Sequence, residues 1–125
     1  MKYIKKAIAV VLLVSGSISL FGQTENQSER MLVENTIQLY FDGWATGDTT
    51  KLGKAMHSSC QLKNYRDGKF IIFDRAKYLS LLHQPHLRNK DLITQIVQLD
   101  ITGQIGSAKV ELITARDKFT DYFNL

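Results

Sequence analysis

One stretch limits the folds open to this chain more than any other: YFDGWATGDTTKLGKAMH, from Tyr40 to His57. It holds the end of one amphipathic helix, a Gly-Asp break and a short second helix. From Ser28 to Thr46, the residues Val33, Ile37, Tyr40, Phe41 and Trp44 recur at helical spacing on one face. Glu34, Gln38 and Asp42 project from another, and Leu32, Thr36 and Leu39 widen the apolar side. Such a helix has a broad surface to cover, and a curved sheet fits it better than a single partner helix. Gly47 stands where a left-handed helix end wants glycine, and Asp48 follows as the N-cap of a helix from Thr49 to Met56. Two helices joined by so few residues turn sharply against each other. Gly43, inside the first helix, costs about 1 kcal/mol relative to alanine, and close approach of another backbone is the compensation to look for.

After His57 the period shifts from helical to alternating. Cys60, Leu62, Asn64 and Arg66 interleave with Gln61, Lys63 and Tyr65; Asp67-Gly68 follows, then KFIIF from Lys69 to Phe73. Strand, Asp-Gly turn and strand predict a hairpin. Asp74 caps a third helix, from Arg75 to about His83, with Tyr78, Leu81 and Leu82 on its apolar side and Pro85 ending it. Leu92 to Ile101 reads as a long strand, with Ile93, Val97, Leu99 and Ile101 on one face and Thr94, Ile96, Gln98 and Asp100 on the other. Ser107 to Ala115 and Phe119 to Leu125 continue a meander, and alternation puts Asp121 on the side of Phe119 and Phe123. The order of elements predicts an α+β fold, with helices packed on one face of a strongly curved antiparallel sheet and a pocket between them.

At 125 residues the chain makes one domain at most, and its first 22 residues read as a secretory signal peptide. Lys2, Lys5 and Lys6 precede the apolar run Ala7 to Val14, and small residues follow in SGSIS. The run is short for a membrane span. Cleavage near Gly22–Gln23 is expected, with export to the periplasm or beyond; an uncleaved anchor is the alternative. No cysteine lies at that point to carry a lipid. Without the three leader lysines, 16 basic side chains become 13 against 12 acidic ones, a net charge of +1. That balance gives no basic surplus for nucleic acid, and the domain without its leader has no membrane partner to expect. Lys63, Arg66 and Lys69 surround Asp67 and read as a solvated hairpin. Cys60 is the only cysteine, so no internal disulfide forms, and burial suits it best.

YFDGWATGD, the AMH that closes the second helix and the final FTDYFNL, taken with the order of elements, resemble the nuclear transport factor 2-like superfamily. Within it they are most similar to the small bacterial proteins called putative lumazine-binding or SnoaL-like. The resemblance runs from about Met31 to Leu125, and its motifs carry no catalytic signature. It implies a domain over residues 23–125 whose sheet forms a cone, with about three helices from the N-terminal half on the concave face. Members of the superfamily usually continue with a further strand. On that comparison the expected C-terminal strand is missing here: either the sequence is truncated or another chain supplies the strand, and an unpaired edge next to Phe119–Leu125 would be an association hazard.

Three functions follow. The first is an exported domain that binds a small apolar or aromatic molecule without reacting it, in a pocket lined by Tyr40, Trp44, His57, Tyr65 and Tyr78 and needing no cofactor. Tyr40 and Trp44 suit a pocket wall because each joins an apolar body to a polar tip. The second draws on the ketosteroid-isomerase and polyketide-cyclase relatives, where an acid or histidine in the cavity moves a proton beside a carbonyl. Here His57 would pair with Asp121 or Asp117, near Tyr40, and a carboxylate buried in the cone would have the raised pKa of a general base. The third is an interaction module that dimerises through the open sheet face, marked by Ile96 and Ile113 on the otherwise polar side. His57, Cys60, His83 and His86 are metal-ligating types, but their spacing matches no ligand pattern and Pro85 breaks the register, so no metal is expected.

Overall fold

The computed structural model describes residues 27–85 and 89–125. The expected leader, its cleavage point and His86 lie outside the described residues. The chain divides into two compact units, Met1–Val33 and Glu34–Leu125. In the first, residues 27–33 are helical. The second carries the rest of that helix, α1 (residues 27–46 in all), followed by α2 (Thr49–Ala55), β1 (Gln61–Arg66), β2 (Lys69–Asp74), α3 (Arg75–Leu82), β3 (Ile93–Thr102), β4 (Ile105–Ile113) and β5 (Lys118–Asn124). The class is α+β, as the sequence predicts. The strands form a two-stranded antiparallel sheet, β1-β2, and a three-stranded one, β3-β4-β5.

The breaks between elements have local causes. Gly47 takes φ 63° and ends α1, where a side chain would strike the Gln84 carbonyl. The Asp48 carboxylate accepts from the Thr50 and Lys51 amides and starts α2. Gly43 is the point of close approach: a Cβ there would lie 2.7 Å from Leu52 Cγ and 2.8 Å from the Leu52 backbone nitrogen. The helix cost of that glycine therefore allows α2 to lie directly against α1. Asp67 and Gly68, at φ 51° and 74°, form the two-residue turn of the β1-β2 hairpin. Asp74 caps α3 by accepting from the Lys77 amide at 2.7 Å. Arg75 then reaches back to α2, donating from Nη2 to the Gly53 carbonyl (2.7 Å) and from Nε to the Met56 carbonyl (3.1 Å). The cation meets the negative end of the α2 dipole, so its place at the start of α3 serves the neighbouring helix.

The core lies between α1 and the three-stranded sheet. Ile37, Tyr40, Phe41 and Ala45 are buried on the helix, and Ala108, Val110 and Leu112 on the central strand. The register sets Ala108 beside Phe123, Val110 beside Asp121 and Leu112 beside Phe119, so these six share the face toward α1. Ring contacts confirm the packing direction: Tyr40 meets Phe123 edge-on at 5.0 Å, and Trp44 meets Phe119 at 5.4 Å.

Strand β3 corrects the predicted alternation. Ile96 pairs with Val110 and Gln98 with Lys109, so Val97 is an extra residue, a β-bulge. The bulge moves Ile93 and Val97 outward while Leu99 and Ile101 turn inward. It also puts Ile96 on the helix side with Val110, so Ile96 cannot mark the outer face. Ile113 does lie outward, opposite Ile93.

Candidate functional site

Asp121 stands in an apolar row, with Phe119 and Phe123 along its own strand and Val110 across from it. Its neighbour above the sheet is Tyr40, whose hydroxyl donates to Asp121 Oδ2 at 2.8 Å. The Tyr40 and Tyr78 hydroxyl oxygens are 3.0 Å apart. Tyr40 has one proton and gives it to the carboxylate, so Tyr78 donates in the second bond. The result is a chain of three groups from three elements: Tyr78 on α3, Tyr40 on α1 and Asp121 on β5.

Burial sets the electrostatics. It pushes the Asp121 carboxyl above the usual aspartate range, and the hydrogen bond from Tyr40 pulls it partly back. Tyr40 is held well above the ordinary phenol value by burial first, then by the charges of Tyr78 and Asp121. Tyr78 is pushed up to about 12, again by burial first; its bond to Tyr40 lowers it, and the nearby charges of Asp121 and Cys60 raise it. Both phenols stay protonated donors at neutral pH. Such an array can hold a proton or steady a developing negative charge.

The other predicted site residues lie elsewhere. His57 is exposed, with Nδ1 2.8 Å from Ser59 Oγ and accepting from the Ser59 amide at 3.3 Å. Its partner is a neighbouring serine in place of the expected carboxylate, because the chain turns at Ser58–Ser59 and keeps the ring local. Tyr65 is exposed on the hairpin, where alternation turns Leu62 and Asn64 inward and Tyr65 outward. Asp117 belongs to the β4-β5 turn, its carbonyl accepting from the Thr114 amide at 2.8 Å and its amide donating to Thr114 Oγ1. Among the described residues no three His, Cys, Asp or Glu side chains converge as metal ligands. Cys60 is half-buried and free.

Trp44 does line a cleft. It is a half-open surface cleft of about 250 Å³, bounded by Trp44, Ala45, Gly47, Leu81, Leu82, Gln84, Asn89 and Thr114. The glycine at 47 brings the end of α1 against Gln84, and Thr114 enters from the end of β4. No lining residue is charged. Thr114 is largely committed to its own turn, since its hydroxyl bonds Asp117 and Arg116. Gln84 and Asn89 are the other polar residues of the lining, and Asn89 Oδ1 already accepts from the Asp91 amide at 3.0 Å. Gln84, Asn89 and Thr114 escape a reading by periodicity because they sit at element ends and turns; the only signal is their place beside Pro85 and Arg116-Asp117.

Residues 28–125 match the putative lumazine-binding family. No curated protein matches the chain. Two crystal structures of NTF2-like proteins of unknown function share the fold. One, from Shewanella baltica OS155, aligns with a TM-score of 0.71 and 21% identity, covering 78% of this chain and 81% of its own. The other, from Silicibacter pomeroyi DSS-3, aligns with a TM-score of 0.68 and 17% identity, covering 78% and 83%.

Proposed function

The chain belongs to the putative lumazine-binding family of NTF2-like proteins, and on that premise we propose that it binds a small, neutral, planar molecule in the cleft beside Trp44. The reading is carried by the cleft itself, with an indole wall, two leucines, two amides and no charge. Its volume lies just below the range of about 300–1,000 Å³ that holds drug-sized ligands, which suits a one- or two-ring compound. The family's name makes lumazine the first probe. Trp44 is the sole tryptophan, so its fluorescence reports the site directly. Lumazine should change it saturably, and Leu81→Arg, at a half-exposed wall position, should abolish the response. An unchanged emission with lumazine and other bicyclic heteroaromatics would overturn the reading. The proposal includes export by the leader, which N-terminal sequencing of the protein from the periplasmic fraction would check.

A second reading is favoured by the hydrogen bond from Tyr40 to a half-buried carboxylate with Phe119 and Phe123 on either side of it along the strand. In it the Asp121–Tyr40–Tyr78 chain assists proton transfer beside a carbonyl. It ranks second because none of the three lines the Trp44 cleft. Turnover of an unsaturated ketone that is lost in both Asp121→Asn and Tyr40→Phe would support it; turnover that survives either change would exclude it.

A further inference from the structure

We infer that the Trp44 cleft selects a heteroaromatic molecule that presents amino N–H donors over one that presents carbonyls. The inference rests on the cleft reading above and gives its ligand a chemistry. Two helices end at this cleft. Trp44 and Ala45 stand in the last turn of α1, and Gly47 ends that helix; Leu81 and Leu82 close α3, and Gln84 follows. The Gln84 carbonyl abuts Gly47, so the two ends meet there. A helix C-terminus carries about half a negative charge, and its last four carbonyls have no partner within the helix. The Asp48 amide takes the Gly43 carbonyl at 2.9 Å and the Gln84 amide takes the Leu82 carbonyl at 2.8 Å, one at each end.

Cations commonly answer such an end, and α2 shows it: Lys54 stands in its last turn, and Arg75 donates to the Gly53 and Met56 carbonyls. The ends of α1 and α3 have no such answer. The last turn of α3 has no basic residue. That of α1 is Gly43 to Thr46, and the charged residues flanking it in the chain, Asp42 and Asp48, are both acidic. Lys51 and His83 line a separate cleft that shares only Gly47 with this one. Lys90 and Arg116 are exposed and outside the lining. The Thr114 hydroxyl is no donor to a ligand, because it already donates to the Asp117 carbonyl. The Gln84 amide can present either its oxygen or its nitrogen and does not choose. The donors left for a carbonyl edge are the Asn89 amino group and the Trp44 indole N–H, both uncharged, against the fields of two helix ends.

The test compares two pteridines that share one bicycle: lumazine, with carbonyls at its 2 and 4 positions, and 2,4-diaminopteridine, with amino groups there. Equilibrium dialysis against the full chain at neutral pH gives the affinities, and Trp44 emission reports that the cleft is filled. The diamine should bind about tenfold tighter, a severalfold gain from each helix end. Gln84→Lys places a cation at an exposed lining position between the two ends. It should reverse the order, weakening the diamine and strengthening lumazine. Lumazine that binds as tightly as the diamine, or an order that Gln84→Lys leaves unchanged, would overturn the inference and leave the cleft reading standing. Failure of both compounds to bind would overturn the cleft reading, and the inference with it.

Discussion

Gly43 shows how two opposed effects are weighed at a single position. Alanine there gains about 1 kcal/mol of helix propensity. Its Cβ would sit 2.8 Å from the Leu52 backbone nitrogen, and α2 has to move to relieve that contact. Overpacking of this kind costs about 1–3 kcal/mol, so Gly43→Ala should destabilise the fold in urea titration, against the helix scale. Tyr40→Phe keeps the ring against Phe123 and removes only the hydroxyl. It leaves Asp121 without its donor and Tyr78 without its acceptor, and should cost about 1–3 kcal/mol. Two carboxyls respond to pH with opposite sign. The Asp121 pKa is raised on folding, so the folded chain binds that proton more tightly and stability falls as pH rises from the ordinary aspartate value to the raised one. The Glu111 carboxyl is held low by hydrogen bonds from Lys118 and Gln95, so its contribution is present above the ordinary glutamate value and fades as pH falls through the lowered one. Urea unfolding followed against pH should lose the first slope in Asp121→Asn and the second in Glu111→Gln. Retention of both slopes in both variants would contradict the assignment.

Elements were legible where a residue type has one job. Asp48 and Asp74 as caps, Gly47 as a left-handed end and Asp67-Gly68 as a turn were all readable, because backbone chemistry near each is local. The Val97 bulge was not: one inserted residue leaves the apolar count unchanged and reverses only which side the residues before it face. The role of Arg75 was also hidden, since its acceptors lie 19 and 22 residues earlier in the chain. Helix α2 has only seven residues, too few to stand alone in water. Arg75→Ala removes two charge-assisted bonds from its C-terminal end and should cost about 1–3 kcal/mol, while Arg75→Lys, with one point charge, should recover part of it. Amide exchange would locate the loss: α2 should open first, ahead of the strands.

Across the whole molecule, the α+β class was readable from element order, because helical and alternating periods differ so sharply, and the NTF2-like fold came from the resemblance carried by YFDGWATGD, AMH and FTDYFNL. The site was only half readable. Alternation turned Asp121 toward the helices and helical spacing turned Tyr40 toward the sheet, so their meeting was foreseeable. His57 and Tyr65 were misplaced because a turn and a strand face decide their directions, and neither leaves a mark in composition. What the fold assembles is a partly buried hydrogen-bonded chain beside α1 and, separately, an uncharged cleft at the end of that helix. The account rests on the cleft being the place where a small planar molecule binds. Amide chemical-shift mapping during a lumazine titration tests this most directly. Saturable shifts should gather at residues 44–47, 81–84, 89 and 114, and the outer face of β3-β4-β5 should stay silent. Shifts that avoid those residues, or none at all across bicyclic heteroaromatics, would contradict it.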